Sequence, residues 1–306
     1  MYDVAIIGGG PAGIAAGVYA SRKQLKSVLI AKEWGGQSAV SAEIQNWIGT
    51  VSVSGADLAK NLKRHLDAYA GDTVTTVEGA VAKVEPAGEG FRVTTEGGKM
   101  YEAKTVLVAS GAHRRKLTVP GADTFDQKGL TYCASCDGPL FSDMDVAVVG
   151  GGNAAFETAA QLLAYAKSVT LLQHSPEFKA DPVTVKKVLS NPKMHALTNA
   201  ETVEVQGGDF VTGVVYRDTE TDETKELPVS GIFVEIGILP TTEFVKDLVE
   251  LDPYKRIVVN PKNQRTSRAG IWAAGDCTDE LYHQNNIAAG DAVKAIEDIY
   301  VSLHAR

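Results

Sequence analysis

The apolar positions fall into short continuous runs closed by glycine, and two of these runs open the same arrangement. Tyr2–Ile7 is apolar and β-branched, and Gly8-Gly9-Gly10-Pro11-Ala12-Gly13 follows at once. A helical stretch then runs to about Arg22, and Val28–Ala31 reads as the next strand. This is a strand–turn–helix–strand unit with its glycines at the first turn. The pattern returns with a strand over Val146–Val149, the turn Gly150-Gly151-Gly152-Asn153-Ala154-Ala155, a helix over Asn153–Tyr165 and a strand over Val169–Leu172. Ala31 and Gln173 each stand 23 positions after the first glycine of their turn. The chain therefore holds two copies of one nucleotide-binding unit, a duplication rather than a solenoid.

Between the copies, Thr73–Val84 and Phe91–Thr95 read as strands around a turn at Pro86–Gly90, and Lys104–Ala109 as another strand. After the second copy, Ala200–Tyr216 and Glu226–Glu235 read as strands. Gly237-Ile238-Leu239-Pro240 is punctuated as a crossing between domains. Gly270–Asp276 is a short strand ending in Gly-Asp, and a last helix covers about Asn286–Leu303.

At 306 residues the chain has room for two domains. A net charge of -8 without a basic tract argues against a nucleic-acid partner. No apolar stretch is long enough for a bilayer, and the first apolar residues run into a glycine turn rather than a cleavage site, so no membrane contact and a cytoplasmic location are expected. Three cysteines are too few for a disulfide scaffold.

In the first turn, Gly8 permits the tight bend, Gly10 lets backbone approach a pyrophosphate, and Gly13 lets helix and strand pack closely. The helix N-terminus starting at Pro11 and Ala12 offers N–H donors to the anion. A pyrophosphate implies FAD rather than FMN. The competing reading is a glycine turn without a ligand. Gly150, Gly152 and Ala155 occupy the same places in the second turn, with Asn153 opening its helix. Gln173 stands where Asp or Glu would favour NADH, and no arginine follows to hold the extra phosphate of NADPH. His174 and Lys179 are the nearby positive candidates, with a solvated loop as the alternative.

Cys133-Ala134-Ser135-Cys136 lies between the two turns. A structural zinc needs four ligands, and Cys277 is the only further cysteine, so no metal is expected and a redox dithiol is the better reading. Asp137 beside the pair can exchange the proton that accompanies thiolate formation, or can serve as a helix cap. Cys277 reads as a small buried apolar residue.

Taken together, the chain resembles the low-molecular-weight thioredoxin reductase family of flavoproteins over nearly its whole length. The resemblance rests on both glycine turns, Gly35-Gly36-Gln37, Asn46-Trp47-Ile48-Gly49, Ala109-Ser110-Gly111-Ala112, Val119-Pro120-Gly121, Cys133–Gly138 and Ala273-Ala274-Gly275-Asp276. Pro139-Leu140-Phe141, Pro176–Asp181 and Gly275–Thr278 are most similar to the flavoprotein subunit of alkyl hydroperoxide reductase, which carries an N-terminal pair of thioredoxin-like domains. Because this chain starts at the flavin strand, a form without them is expected.

The resemblance implies an α/β fold of two Rossmann-like three-layer domains. A discontinuous FAD domain would cover 1–115 and 244–306, and an NAD(P)H domain carrying the dithiol would cover 116–243. A rotation between them, hinged near Lys116 and Glu235–Thr241, and a homodimer are also implied. Cys136 would face the flavin, Cys133 would attack a partner's disulfide, and Asp137 would be the acid/base. Gly8, Gly10, Pro11, Ala12, Gly13, Gly36, Gln37, Asn46, Ala109, Gly111, Gly275, Asp276 and Gln284 would hold FAD. Gly150, Gly152, Asn153, Ala155, Gln173 and His174 would hold NADH or NADPH, with NADH favoured. His283 replaces the arginine expected before Gln284.

The activity implied is transfer of electrons from NAD(P)H through FAD and the dithiol to a thioredoxin-like or glutaredoxin-like protein. A ferredoxin-fed reductase, a small-molecule dithiol oxidase and a zinc-stabilised nucleotide sensor are the competing readings. The intact second turn weighs against the first two, and the shortage of ligands against the third.

Overall fold

The structure, a computed structural model, describes residues 1–41 and 44–304. The chain forms two compact units, Met1–His113 together with the chain from Leu239 onward, and Arg114–Ile238.

The first unit opens with β1 (Tyr2–Ile7), α1 (Pro11–Arg22), β2 (Ser27–Ala31), α2 (Gly55–Ala70), β3 (Val74–Glu78), β4 (Val81–Ala87), β5 (Gly90–Thr95), β6 (Met100–Val108) and β7 (Ala112–Arg114). The second unit holds β8 (Leu130–Thr131), α3 (Ala134–Asp137), β9 (Asp145–Val149), α4 (Asn153–Leu162), β10 (Ser168–Leu172), α5 (Pro182–Leu189), β11 (Met194–Leu197), β12 (Ala200–Gly207), β13 (Val211–Asp218), β14 (Thr224–Pro228) and β15 (Gly231–Val234). After β16 (Ile238–Pro240), the chain completes the first unit with β17 (Val259–Asn260), β18 (Arg265–Thr266), β19 (Ile271–Ala273) and α6 (Asn285–His304).

The main sheet of the first unit runs β17-β18-β19-β6-β1-β2-β3, with β5 and then β4 attached to β6. Its central strands β19, β6, β1, β2 and β3 are parallel. β2, β19 and the C-terminal parts of β1 and β6 are apolar on both faces because both faces are covered, whereas the edge strand β3 leaves Thr75, Thr76 and Glu78 exposed. One core packs Ile6, Leu29 and Leu107 against Ile14 of α1 and Ile296 and Ile299 of α6. The opposite face packs Ala5, Ile30 and Val106 with Val93, Val249 and Ile257.

The parallel sheet of the second unit runs β11-β10-β9-β15-β8. Val148, Leu171 and Phe233 pack on Phe156 and Leu162 of α4, and Val149, Leu172 and Ile232 pack on the β12-β13-β14 layer through Val205 and Val214. Each unit thus has three layers.

Several boundaries differ from the sequence reading. The run Thr73–Val84 divides at Gly79, whose φ of +150° turns the chain, so β3 pairs with β2 while β4 turns back to pair with β5. Pro86 lies inside β4, opposite Phe91, leaving only Gly88 and Glu89 as the turn. Ala200–Tyr216 is a hairpin broken near Gly207 and Gly208. Glu226–Glu235 serves two sheets, β14 in the antiparallel layer and β15 in the parallel one. The helix expected to Tyr165 ends at Leu162.

Candidate active site

In the first unit, β1, β6 and β19 are parallel and end side by side. Their C-terminal ends carry Gly8, Ala109 and Gly275. Ligands of open α/β sheets sit at this end of the strands. Gly8 has φ +128°, and a Cβ on it would lie 2.0 Å from the Ala109 carbonyl oxygen. Only glycine fits there. Ala12 and Ala288 flank Gly275, with α1 on one side and α6 on the other. The Gly35 N–H donates to Gly9 O at 2.8 Å, which lays the Gly36–Val40 helical turn, with Gln37, beside the glycine turn.

Asn46 and Gln284 meet directly, Nδ2 to Oε1 at 3.0 Å. Asn286 Nδ2 donates to Asn46 O at 2.7 Å, and Ser38 Oγ donates to Asn285 Oδ1 at 2.8 Å. The loop after β2 is thereby stitched to the start of α6. The sequence assigns no site role to Ser38, Asn285 or Asn286. Polar side chains adjoining Gln37 and Gln284 were the only signal for them. Gly111 has φ +66° in the bend after β6. Asp276 is half-buried and hydrogen-bonded or otherwise engaged within the chain. His283 Nε2 is buried and has no hydrogen-bond partner among the described residues.

The second unit repeats the turn. Gly150 has φ +136°, and a Cβ on it would lie 2.3 Å from Glu235 O. Ala155 takes the third position. Gln173, at the end of β10, is buried and packs across Gly151. Its Nε2 donates to Glu177 O at 3.0 Å. The loop that follows folds back over the turn, with Lys179 N–H donating to Gly151 O at 2.8 Å and Asp181 N–H to Asn153 Oδ1 at 2.7 Å. His174 is exposed, with Ser175 Oγ 3.1 Å from its Nε2, and Lys179 is exposed.

The helices that follow the two glycine turns differ from their neighbours at their N-termini. α2 is capped by Ser54 and α5 by Asp181, each accepting backbone N–H groups. α1 and α4 have Gly10 and Gly152 at their N-cap positions, which supply no side-chain cap. A Cβ on Gly152 would meet nothing within 4 Å, and one on Gly10 only Gly36 Cα at 3.7 Å. Open space faces uncapped N–H donors in both places, and that is what a dinucleotide pyrophosphate requires. The residues present at both turns fit the pyrophosphate of a dinucleotide such as FAD or NAD(P)H.

The dithiol belongs to the same strand ends as the second turn. β8, β15, β9 and β10 are parallel, so Thr131 at the end of β8, and Glu235, Gly150 and Gln173 just past β15, β9 and β10, lie toward one end of the sheet. Cys133 and Cys136 are joined as a disulfide with Cα atoms 5.3 Å apart. Cys133 caps α3, its sulfur accepting the Cys136 N–H at 3.2 Å. A donor aimed at that sulfur favours its thiolate on reduction. Ser135 Oγ donates to Gln161 Oε1 at 3.2 Å, fastening α3 to α4.

Asp137 is buried and accepts a hydrogen bond from Thr131. Burial pushes its carboxyl above the usual aspartate range, and the Thr131 hydroxyl acts in the opposite direction. Glu235 is raised mainly by burial, against the pull of Arg114, whose Nη1 lies 2.8 Å from Oε2, and of Thr158 Oγ1, 2.9 Å from Oε1.

Residues 2–295 match the pyridine nucleotide-disulphide oxidoreductase family. The chain belongs to that family. The thioredoxin reductase of Streptococcus pyogenes has a similar structure, with a TM-score of 0.92 and 35% identity, covering 100% of this chain and 99% of that one. The thioredoxin reductase of Giardia duodenalis also gives 0.92, at 29% identity, over 98% of this chain and 99% of that one. Among curated relatives, the F subunit of alkyl hydroperoxide reductase from Staphylococcus aureus is 42% identical over 294 residues. The alignment takes in 96% of this chain and 57% of that relative, so the chain spans little more than half of it. Members of the pyridine nucleotide-disulphide oxidoreductase family use FAD and NAD(P)H, in keeping with the two open turns.

The first unit brings Gly8 against Ala109 and Gly275 beside Ala12, and the second brings Gln173 across Gly151. Asn46 and Gln284 meet despite lying 238 positions apart. The sequence assigns no site role to Thr131, Thr158 or Arg114, and it marks Glu235 only as a strand end and hinge position. Thr131, Arg114 and Glu235 lie at or next to strand ends, whereas Thr158 lies inside α4.

Proposed function

We propose that the chain is an FAD-dependent oxidoreductase that uses NAD(P)H to reduce a disulfide in a thioredoxin-like or glutaredoxin-like protein. The observation that carries this reading is the Cys133–Cys136 disulfide beside the buried Asp137, at the same strand ends as the second glycine turn. The unit with β1 would take FAD, with boundaries near 115 and 244, and the unit with β9 would take the nicotinamide. Gly8, Gly10, Pro11, Ala12, Gly13, Gly36, Gln37, Asn46, Ala109, Gly111, Gly275, Asp276 and Gln284 would line the flavin dinucleotide. Gly150, Gly152, Asn153, Ala155, Gln173 and His174 would line the nicotinamide one.

Bound FAD would supply two-electron transfer between nicotinamide and disulfide. The balance is NAD(P)H, one proton and a partner disulfide giving NAD(P)⁺ and two partner thiols. Cys133 would attack the partner disulfide as a thiolate, aided by the Cys136 N–H. Cys136 would then close on Cys133 and release the reduced partner. Asp137, with its carboxyl raised by burial, would hold and return the proton at the dithiol.

NADH is the favoured donor. Gln173 brings no charge, its amide is engaged with Glu177 O, and no arginine lies in the loop to Asp181. A 2′-phosphate then lacks a bidentate partner worth about 1.5–3 kcal/mol per charge-assisted bond. A cytoplasmic homodimer completes the reading. The test is steady-state kinetics with NADH and NADPH on a small thioredoxin-like disulfide. No disulfide reduction with either nucleotide would sink the function, and a tenfold preference for NADPH would sink the donor assignment.

A further inference from the structure

Thr131 ends β8 and is 4% exposed. Its Oγ1 donates to Asp137 Oδ2 and accepts the Cys133 N–H at 3.4 Å. Asp137 is itself only 7% exposed. Of the elements next to α3 and β8, α4 carries the exposed Glu157 on its surface, β15 leads to Glu235, already paired with Arg114, and Tyr132 adjoins Thr131. Burial raises the carboxyl, and the hydrogen bond from the Thr131 hydroxyl opposes it.

A hydroxyl offers one proton and two lone pairs. With one lone pair given to the Cys133 N–H, Thr131 can donate to an ionised carboxylate or accept from the neutral acid without moving. An apolar side chain of the same shape can do neither. We propose that Thr131 is a positioning residue of the dithiol site: its hydroxyl, anchored on the Cys133 backbone, holds the Asp137 carboxyl in one place through both protonation states. This rests on the reading of Cys133, Cys136 and Asp137 given above. It explains how a buried acid keeps its aim while the disulfide opens and closes.

The test is a ¹³C NMR titration of the full chain labelled at aspartate, with Asp137 identified by the resonance missing in Asp137→Asn. Thr131→Val preserves shape, Thr131→Ala is a second variant without the hydroxyl, and Thr131→Ser restores it. In the first two, Asp137 should titrate at higher pH, because its ionised form has lost a donor. In Thr131→Ser it should return to the wild-type position. NADH-driven disulfide reduction should fall about tenfold in Thr131→Val, the rate equivalent of one hydrogen bond, with the KM for NADH unchanged. An Asp137 titration left in place by valine and alanine, or not restored by serine, overturns the proposal. The titration needs no turnover. Wild-type protein that titrates as expected but reduces no disulfide would refute the functional reading and still support the Thr131–Asp137 pairing.

Discussion

Cys277 shows how far burial alone can separate one thiol from another. Its side chain is fully enclosed, with Sγ 3.6 Å from Val108 O and 3.5 Å from Ala274 O. Desolvation pushes its pKa up to about 11, so at neutral pH it is a small apolar filler rather than a nucleophile. In the oxidised native protein, a thiol reagent should therefore label none of the three cysteines. Reduction should expose Cys133 and Cys136 to labelling, and Cys277 should react only on unfolding. Rapid labelling of Cys277 in the native state would contradict its burial.

Asp137 gives a residue-scale prediction with a definite sign. Its carboxyl is raised when folded, so the native chain binds this proton more tightly than the unfolded chain does. Its contribution to stability is then largest at low pH. It fades as pH rises from the ordinary aspartate range through the raised value. Asp137→Asn removes the titration and nearly keeps the shape. Its thermal midpoint relative to wild type should climb across that window and level off above it. A difference that stays flat with pH would show that folding leaves this carboxyl untouched.

At the scale of elements, the loop between β10 and α5 is held by named contacts. Asp181 accepts the Val183 and Thr184 N–H groups at 3.0 Å each. Asp181→Ala should cost about 1 kcal/mol, the usual worth of a helix cap, read from urea unfolding. Both strand–turn–helix units were legible in the sequence because an apolar run and a glycine turn are local signals. The division at Gly79 and the sharing of Glu226–Glu235 between two sheets were not, because a strand's partner is a matter of distant chain. The same distinction divides the site. Cys133, Cys136 and the glycines announce themselves by spacing. Thr131 acquires its meaning only when α3 turns Asp137 back toward the strand end, and Gln173 only when its loop folds over Gly151.

At the scale of the whole molecule, each unit has its own core and its own open turn. Gly10 and Gly152 have extended backbone, with φ -78° and -93°, which valine adopts readily. Neither position would meet a close neighbour. Valine there fills the space meant for a phosphate and leaves the fold alone. Gly10→Val should purify without its yellow colour. Gly152→Val should keep FAD and raise the KM for NADH at least about tenfold, the equivalent of one lost charge-assisted contact. Thermal midpoints in the absence of nucleotide should stay near wild type. Loss of FAD from Gly152→Val would show that the two sites are not separate.

The interruption of the first sheet sets an order on synthesis. Arg114–Ile238 is one continuous stretch, and its sheet is complete as soon as β15 has been made. The first unit cannot be completed then. β6 waits for β19 on its far side, and Ile14 and Leu29 wait for Ile296 and Ile299 of α6. While the ribosome reads the middle of the message, the nascent chain carries a finished second unit beside a first sheet with a bare apolar edge and half a core. Such an edge is a template for pairing with other chains. The codons for β19 and α6 therefore decide whether the earliest residues reach their native state, and chaperone dependence should concentrate in the interval between the emergence of β15 and that of α6.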